Sequence, residues 1–331
     1  MALIVITDCD HGGIAPEEAV LRAAGVEYRL HQAKTEDEVI AVARDADAVI
    51  LQYARITGRV LDALPRCRAA VRYGVGVDTV DLEAATARGV VIANVPDYCF
   101  EEVSDHALAL GLALWRGVVF YDRAIRGGTW DAPAKKPMFR LHGRTLGLIG
   151  AGRIGRCLAR KATGIGLSVL GHDPFLSSWP EGIRPVGLEE LLAQSDIISL
   201  HLPLTAETRH LIGEAALARV KPTALLVNTA RGGLVDTAAL CRALSEGRLG
   251  GAALDTIETE PLPADSPLRE FSNVILSPHA AWYSEQSQAD LKRKTAEAAV
   301  AVLQGNRPDS PVNPEVYRNP ALRAAAPLLR G

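Results

Sequence analysis

Four apolar, strand-like runs in the second half of the chain end on residues able to do chemistry: His201, Thr229 to Arg231, Asp255 and His279. Ahead of them, Leu146-Gly147-Leu148-Ile149 opens into Gly150-Ala151-Gly152-Arg153-Ile154-Gly155. Glycines so spaced between a strand and a helix allow a tight turn, let a pyrophosphate approach the backbone, and seat it at a helix N-terminus. In an open parallel sheet, ligands bind beyond the carboxyl ends of the strands. A dinucleotide turn, an arginine, an aspartate and a histidine are therefore expected along one crevice edge, which is what hydride transfer needs. The next strand ends at Asp173, at about the 20-residue distance of an acid that binds ribose. Pro174, Phe175 and Leu176 follow it. No arginine stands ready for a 2′-phosphate, so NAD(H) is expected over NADP(H).

Hydride addition to a 2-oxo carbon leaves charge on the carbonyl oxygen, and a donor must neutralise it in the transition state. A histidine such as His279 is a suitable acid near neutral pH, and a carboxylate beside it favours its charged form. Arg231, between Ala230 and Gly232 at a strand end, offers a planar fork that suits a carboxylate. Each residue also has an ordinary reading: an exposed arginine, a solvated loop glutamate at Glu260, a hydrogen-bonded structural histidine. Their joint placement around one crevice favours chemistry. No metal is required, and Asp8-Cys9-Asp10-His11 reads as a polar loop, since adjacent residues rarely all face one point. Trp282 stands three positions after His279; either it lines the substrate's tail or it is an ordinary core tryptophan.

Short β runs alternating with helical stretches must position these groups. In the first hundred residues the expected strands are Leu3–Thr7, Val26–Leu30, Ala48–Leu51, Ala69–Arg72 and Val90–Ala93. A long helical run is expected from Glu101 to about Arg126. A second alternation then begins at Thr145, with six strands from Leu146 to Ser277, and a helix from about Glu285 to Gln304 closes it. Strands alternating with helices argue for parallel sheets. The expectation is α/β: two Rossmann-like, doubly wound parallel-sheet domains with a cleft between them. The chain's 331 residues and net charge of -3 allow two ordinary cores and give no reason to expect nucleic acid or an anionic membrane. Five scattered cysteines fit free thiols in a reducing compartment. No apolar run approaches the roughly 18 residues of a membrane span. A cytoplasmic location is expected.

The chain resembles the D-isomer-specific 2-hydroxyacid dehydrogenases over nearly its full length, with the greatest likeness to their C-terminal-binding-protein branch. The stretches that carry the resemblance are Arg72-Tyr73-Gly74-Val75-Gly76-Val77-Asp78, the glycine turn with Asp173, Asn228 to Gly233, and His279-Ala280-Ala281-Trp282-Tyr283-Ser284-Glu285-Gln286. The resemblance implies a catalytic set of Arg231, Glu260 and His279. The arginine would hold the substrate carboxylate, the histidine would act as acid and base, and the glutamate would orient the histidine. It also implies substrate contacts from Arg72 and the segment Tyr73, Gly74, Val75 and Gly76. Along the cofactor it places Gly150, Gly152, Arg153, Ile154, Gly155 and Asp173. It adds His201, Leu202, Pro203, Thr205, Thr208, Thr229, Ala230, Arg231, Asp255, His279 and Ala281. One departure is Val103, where that branch has a threonine. The family fold further implies a substrate domain of residues 1–99 completed by 283–331, an NAD-binding domain of 100–282, and a homodimer. The function implied is NAD-dependent interconversion of a small 2-hydroxy acid and its 2-oxo acid. The alternatives are an NADH-sensing, corepressor-like binding module and a phosphoglycerate dehydrogenase.

Overall fold

The computed structural model describes residues 1–323, so residues 324–331 of the expected closing segment lie outside the described residues. The chain divides into two compact units, Met1–Cys99 with Ser284–Gly331, and Phe100–Tyr283. Tyr283, expected with the closing segment, falls in the second unit.

The first unit runs β1 (Leu3–Ile6), α1 (Ala15–Ala23), β2 (Glu27–Leu30), α2 (Glu36–Ala43), β3 (Ala48–Leu51), α3 (Gly58–Ala63), β4 (Ala69–Arg72), α4 (Leu82–Ala87) and β5 (Val91–Ala93). Its strands form one parallel sheet in the order β2-β1-β3-β4-β5. β1 and β3 are buried along their whole length, as expected of apolar strands covered on both faces. The helix Glu285–Leu303, started by a Ser284 capping box, packs on α1, β3 and β4 of this unit.

The second unit opens with α5 (Phe100–Trp115) and α6 (Val118–Arg126). The single helix expected over this stretch is broken, because Gly117 takes a left-handed φ of +64° and the two axes bend by 59°. Glycine alone enters that region without a Cβ penalty. There follow β6 (Thr145–Ile149), α7 (Arg153–Gly164), β7 (Ser168–His172), β8 (Ile183–Pro185), α8 (Leu188–Gln194), β9 (Ile197–Leu200), α9 (Glu214–Leu217), β10 (Leu225–Asn228), α10 (Thr237–Ser245), β11 (Gly251–Leu254) and β12 (Val274–Leu276). All seven strands are parallel, in the order β12-β11-β10-β9-β6-β7-β8. β8 is short, lies at the edge and ends on a proline, so it carries almost no strand signal in the sequence. Ile149 pairs with Leu200, Leu200 with Asn228, Asn228 with Leu254, and Leu254 with Leu276. That register brings the chemically able strand ends to one level of the sheet.

Candidate active site

The strand order of the second sheet reverses between β6 and β9, and the glycine turn lies there. Gly150 has φ +92°, and a Cβ on it would sit 2.4 Å from the His201 carbonyl oxygen. A Cβ on Gly155 would sit 2.4 Å from the Gly150 carbonyl oxygen, so α7 can begin only against glycine. Gly152 is exposed and nothing approaches its would-be Cβ. The N-terminus of α7, led by Arg153 and Ile154, is thus open to an anionic group. Asp173, just past β7, accepts the Ala151 N–H at 2.9 Å and the Phe175 N–H at 3.1 Å. These bonds orient its carboxylate at the turn and leave further lone pairs for a diol.

His201 differs from the expected strand-end ligand. Its Nε2 meets Ser199 Oγ at 2.8 Å, and burial pushes its pKa down to about 4. The neutral ring is turned back along β9, and only its backbone borders Gly150. Beyond it, Leu202 and Pro203 lead into a self-closed turn. Thr208 Oγ1 donates to the Pro203 carbonyl at 2.8 Å and accepts the Thr205 N–H at 2.7 Å. Thr229 is buried at the tip of β10, and its hydroxyl has no hydrogen-bond partner among the described residues. An unpaired buried hydroxyl beside a dinucleotide turn fits a site completed by a ligand.

Arg231 follows two residues later. Fully buried Asn228 shapes this corner, accepting the Ala230 N–H at 3.0 Å and donating Nδ2–H to the Arg231 carbonyl at 2.9 Å. Gly232 lies so close to the next loop that a Cβ would sit 1.9 Å from the Ile257 carbonyl. Beyond β11, that loop carries Glu260. Beyond β12, His279 adopts φ +56°, and its Nδ1 meets Glu260 Oε2 at 2.8 Å. The other carboxylate oxygen of Glu260 accepts the Ile257 N–H at 3.1 Å. Partial burial would raise the Glu260 carboxyl, but its hydrogen bond to His279, the charge there and the Ile257 N–H together hold it below its ordinary value. A carboxylate kept ionised against a histidine, both partly exposed, is an arrangement for proton transfer.

Asp255, expected along the cofactor, anchors the loop that follows β12. It is 1% exposed and accepts Ser277 Oγ–H at 2.6 Å and the Ala280 and Ala281 N–H groups, each at 2.9 Å. His106 Nε2 lies 3.5 Å away. Burial opposes its ionisation, yet His106, Ser277 and the two backbone donors hold its pKa at about 2. Its charge is spent on fixing the loop that holds His279, Ala281 and Trp282. The Trp282 ring meets the exposed Tyr283 edge-on at 5.6 Å and is half-buried, so it is not a fully enclosed core tryptophan.

The residues expected from the first unit sort themselves. Gly74 has φ +117°, and its would-be Cβ coincides with the Arg72 guanidinium, which folds back over the turn. Asn94 Nδ2 donates to the Val75 carbonyl at 2.6 Å, and the Val95 N–H to the Gly74 carbonyl at 3.1 Å. The turn is therefore braced, with Val75 exposed and Gly76 half-buried. Tyr73 departs from expectation: it is 2% exposed, and its hydroxyl donates to Glu17 Oε1 at 2.7 Å. Its side chain belongs to the core on the side of α1, which carries Glu17.

Comparison with known proteins decides the family. Residues 108–281 match the D-isomer specific 2-hydroxyacid dehydrogenase, NAD binding domain. A glyoxylate reductase of Korarchaeum cryptofilum is 43% identical over 288 residues, 85% of this chain and 86% of that protein. The chain belongs to the D-isomer-specific 2-hydroxyacid dehydrogenase family. This dehydrogenase is also 38% identical over 320 residues to a D-3-phosphoglycerate dehydrogenase of Mycobacterium tuberculosis, spanning 95% of this chain but 59% of that one. Among solved structures, the D-lactate dehydrogenase of Aquifex aeolicus, complexed with NAD and lactic acid, superposes with a TM-score of 0.84 at 27% identity, covering 94% of this chain and 99% of the other. As a family member the protein is an oxidoreductase of CH–OH groups that uses a nicotinamide cofactor.

Several residues shape this dehydrogenase's site without standing out in the sequence. Asn228 had the one local signal, an Asx turn at a strand end. His106, from α5, and Ser277 join the Asp255 network from positions far apart in the chain. No spacing rule connects them.

Proposed function

We propose that the protein is an NAD(H)-dependent reductase of small 2-oxo acids and, in reverse, a D-2-hydroxyacid dehydrogenase. The observation that carries this reading is the 2.8 Å contact between His279 Nδ1 and Glu260 Oε2, in the same unit as the glycine turn. NADH, when bound, supplies the hydride. The turn from Gly150 to Gly155 and Asp173 hold it, with the Leu202–Thr208 loop and the backbone from Thr229 to Arg231 alongside. Arg231 binds the substrate carboxylate through its planar fork. His279 Nε2, the nitrogen not engaged by Glu260, gives its proton to the carbonyl oxygen, and the ionised Glu260 stabilises the imidazolium that donates it. Asp255 holds the loop of His279 in place. Arg72 and the backbone from Gly74 to Gly76 act as further carboxylate donors, and Trp282 shapes the choice of tail.

The oriented Asp173 carboxylate, followed by proline and an exposed Phe175, supports NAD(H) over NADP(H), since a carboxylate accepts from a ribose 2′-OH and repels a 2′-phosphate. Val118 and Ile125, 57% and 51% exposed, stand seven residues apart on α6 and so share a face, and an exposed apolar helix face supports a homodimer. Oxidation of NADH on glyoxylate, hydroxypyruvate, pyruvate, 2-oxo acids with apolar tails and 3-phosphohydroxypyruvate tests the function. Turnover of the uncharged-tail acids is expected, and its absence from all of them would remove the assignment. The phosphoglycerate dehydrogenase relative makes phosphorylated substrate the second reading, with preference for 3-phosphohydroxypyruvate as its signature.

A further inference from the structure

The loop after β11 carries two glutamates, Glu258 and Glu260, and each is paired with a histidine. Glu260 meets His279, while Glu258 Oε1 meets His210 Nε2 at 2.6 Å. The two histidines are the non-glycine residues with positive φ among those described, His210 at 54° and His279 at 56°. A left-handed backbone is unfavourable for an L-residue, so surrounding contacts must hold it.

Those contacts converge on the catalytic segment. The His210 N–H donates to the Gly233 carbonyl at 2.9 Å, Ile212 N–H to Leu234 at 3.0 Å, and Asp236 N–H to Ile212 at 3.1 Å. Residues 210–212 are thus stitched to the segment that continues from Arg231. Glu258 Oε2 accepts the Thr237 N–H at 3.2 Å, at the start of α10. On the other side, Gly232 rests on the Ile257 carbonyl, and Ile257 N–H holds Glu260. Three pieces of chain therefore form a ring: the Pro203–Ile212 loop, the Arg231–Thr237 segment and the Ile257–Glu260 loop. His210–Glu258 is the side-chain bond that ties the first to the third.

We propose that His210 and Glu258 form a second His–Glu pair that positions Arg231 and Glu260 for the reaction without touching substrate. The inference rests on the catalytic reading above. The pair is partly exposed, with side chains 40% and 30% accessible, and a pair so exposed adds little to stability. Its value lies in geometry, since a displacement of about 1 Å among reacting groups can cost up to about a hundredfold in rate. Glutamine carries its amide nitrogen about as far from the backbone as a histidine Nε2, so it is the conservative replacement for His210.

The test uses His210→Gly, Glu258→Gln, their double variant and His210→Gln, with glyoxylate as substrate. Each single variant should lose about tenfold in kcat/KM, mostly in kcat, with NADH affinity within about twofold and melting within a few degrees. The double variant should be no worse than the worse single one, as coupled partners require, and His210→Gln should recover most of the loss. Wild-type kcat in folded single variants overturns the proposal, as do losses that simply multiply. Arg231→Lys measured alongside separates the two ideas. If it too keeps full activity, the catalytic reading itself has failed. If it loses activity while the His210 and Glu258 variants do not, only the positioning pair is wrong.

Discussion

Both units are parallel sheets with a point of reversal, between β1 and β3 in one and between β6 and β9 in the other, yet their strand ends are used in opposite ways. After β1 the protein fills the crevice with itself. Asp8, fully buried, accepts the N–H groups of Gln52, Tyr53 and Ala54 at 3.0, 2.6 and 3.2 Å. Lys292, 3% exposed, donates to the carbonyls of His11 and Gly12 at 3.0 and 3.2 Å and to that of Gly13. After β6 the corresponding space is left open, with Gly152 uncrowded and the start of α7 exposed. Topology makes a crevice in either sheet. What decides whether a nucleotide enters is whether the backbone groups there are already taken.

That contrast can be broken or sharpened experimentally. Lys292→Met should remove a buried charged donor from three backbone carbonyls and cost about 2–3 kcal/mol of stability, read by denaturant melts, while leaving NADH affinity within twofold. An equal collapse of NADH binding would show that the two strand ends are not independent. Arg231→Lys should do the reverse: stability nearly unchanged, NADH binding intact, and kcat/KM for 2-oxo acids down at least about tenfold, because one point charge replaces a two-point clamp. Retention of full kcat/KM removes Arg231 as the clamp.

Asp173→Ser should weaken NADH binding by about tenfold and narrow the gap to NADPH, with melting unaffected; titration of both cofactors checks it. Glu260→Gln acts on the pH profile. The carboxylate is ionised through the neutral range, and its charge favours imidazolium. Without it, the pH profile of reduction should move to lower pH than in the wild type. An unshifted profile would take Glu260 out of the mechanism. The smallest effect is expected from Trp282→Ala, a severalfold loss on 2-oxo acids with long tails and almost none on glyoxylate. Equal losses on both would assign the indole to supporting its loop.

Much of this was readable beforehand because it is local. Short continuous apolar runs mark strands covered on both faces, so β3 and β4 run over the residues expected. The glycine turn is equally local, since its backbone geometry excludes side chains at Gly150 and Gly155. The break at Gly117 was not legible, because α5 and α6 are each good helices and a lone glycine is tolerated in such a pattern.

The sequence by itself determined which residues stand at the strand ends and that a dinucleotide turn precedes them, since both follow from the spacing of neighbours along the chain. Only the tertiary structure decided where those side chains point. Tyr73 turned inward to Glu17, His201 back to Ser199, and Asp255 to the loop of His279, whereas Glu260 met His279 across 19 positions of sequence. The physical reason is that a residue past the end of a strand is released from the strand's alternation. Its direction is set by whichever donor, acceptor or apolar surface the fold brings next to it, and that depends on segments far away in the chain.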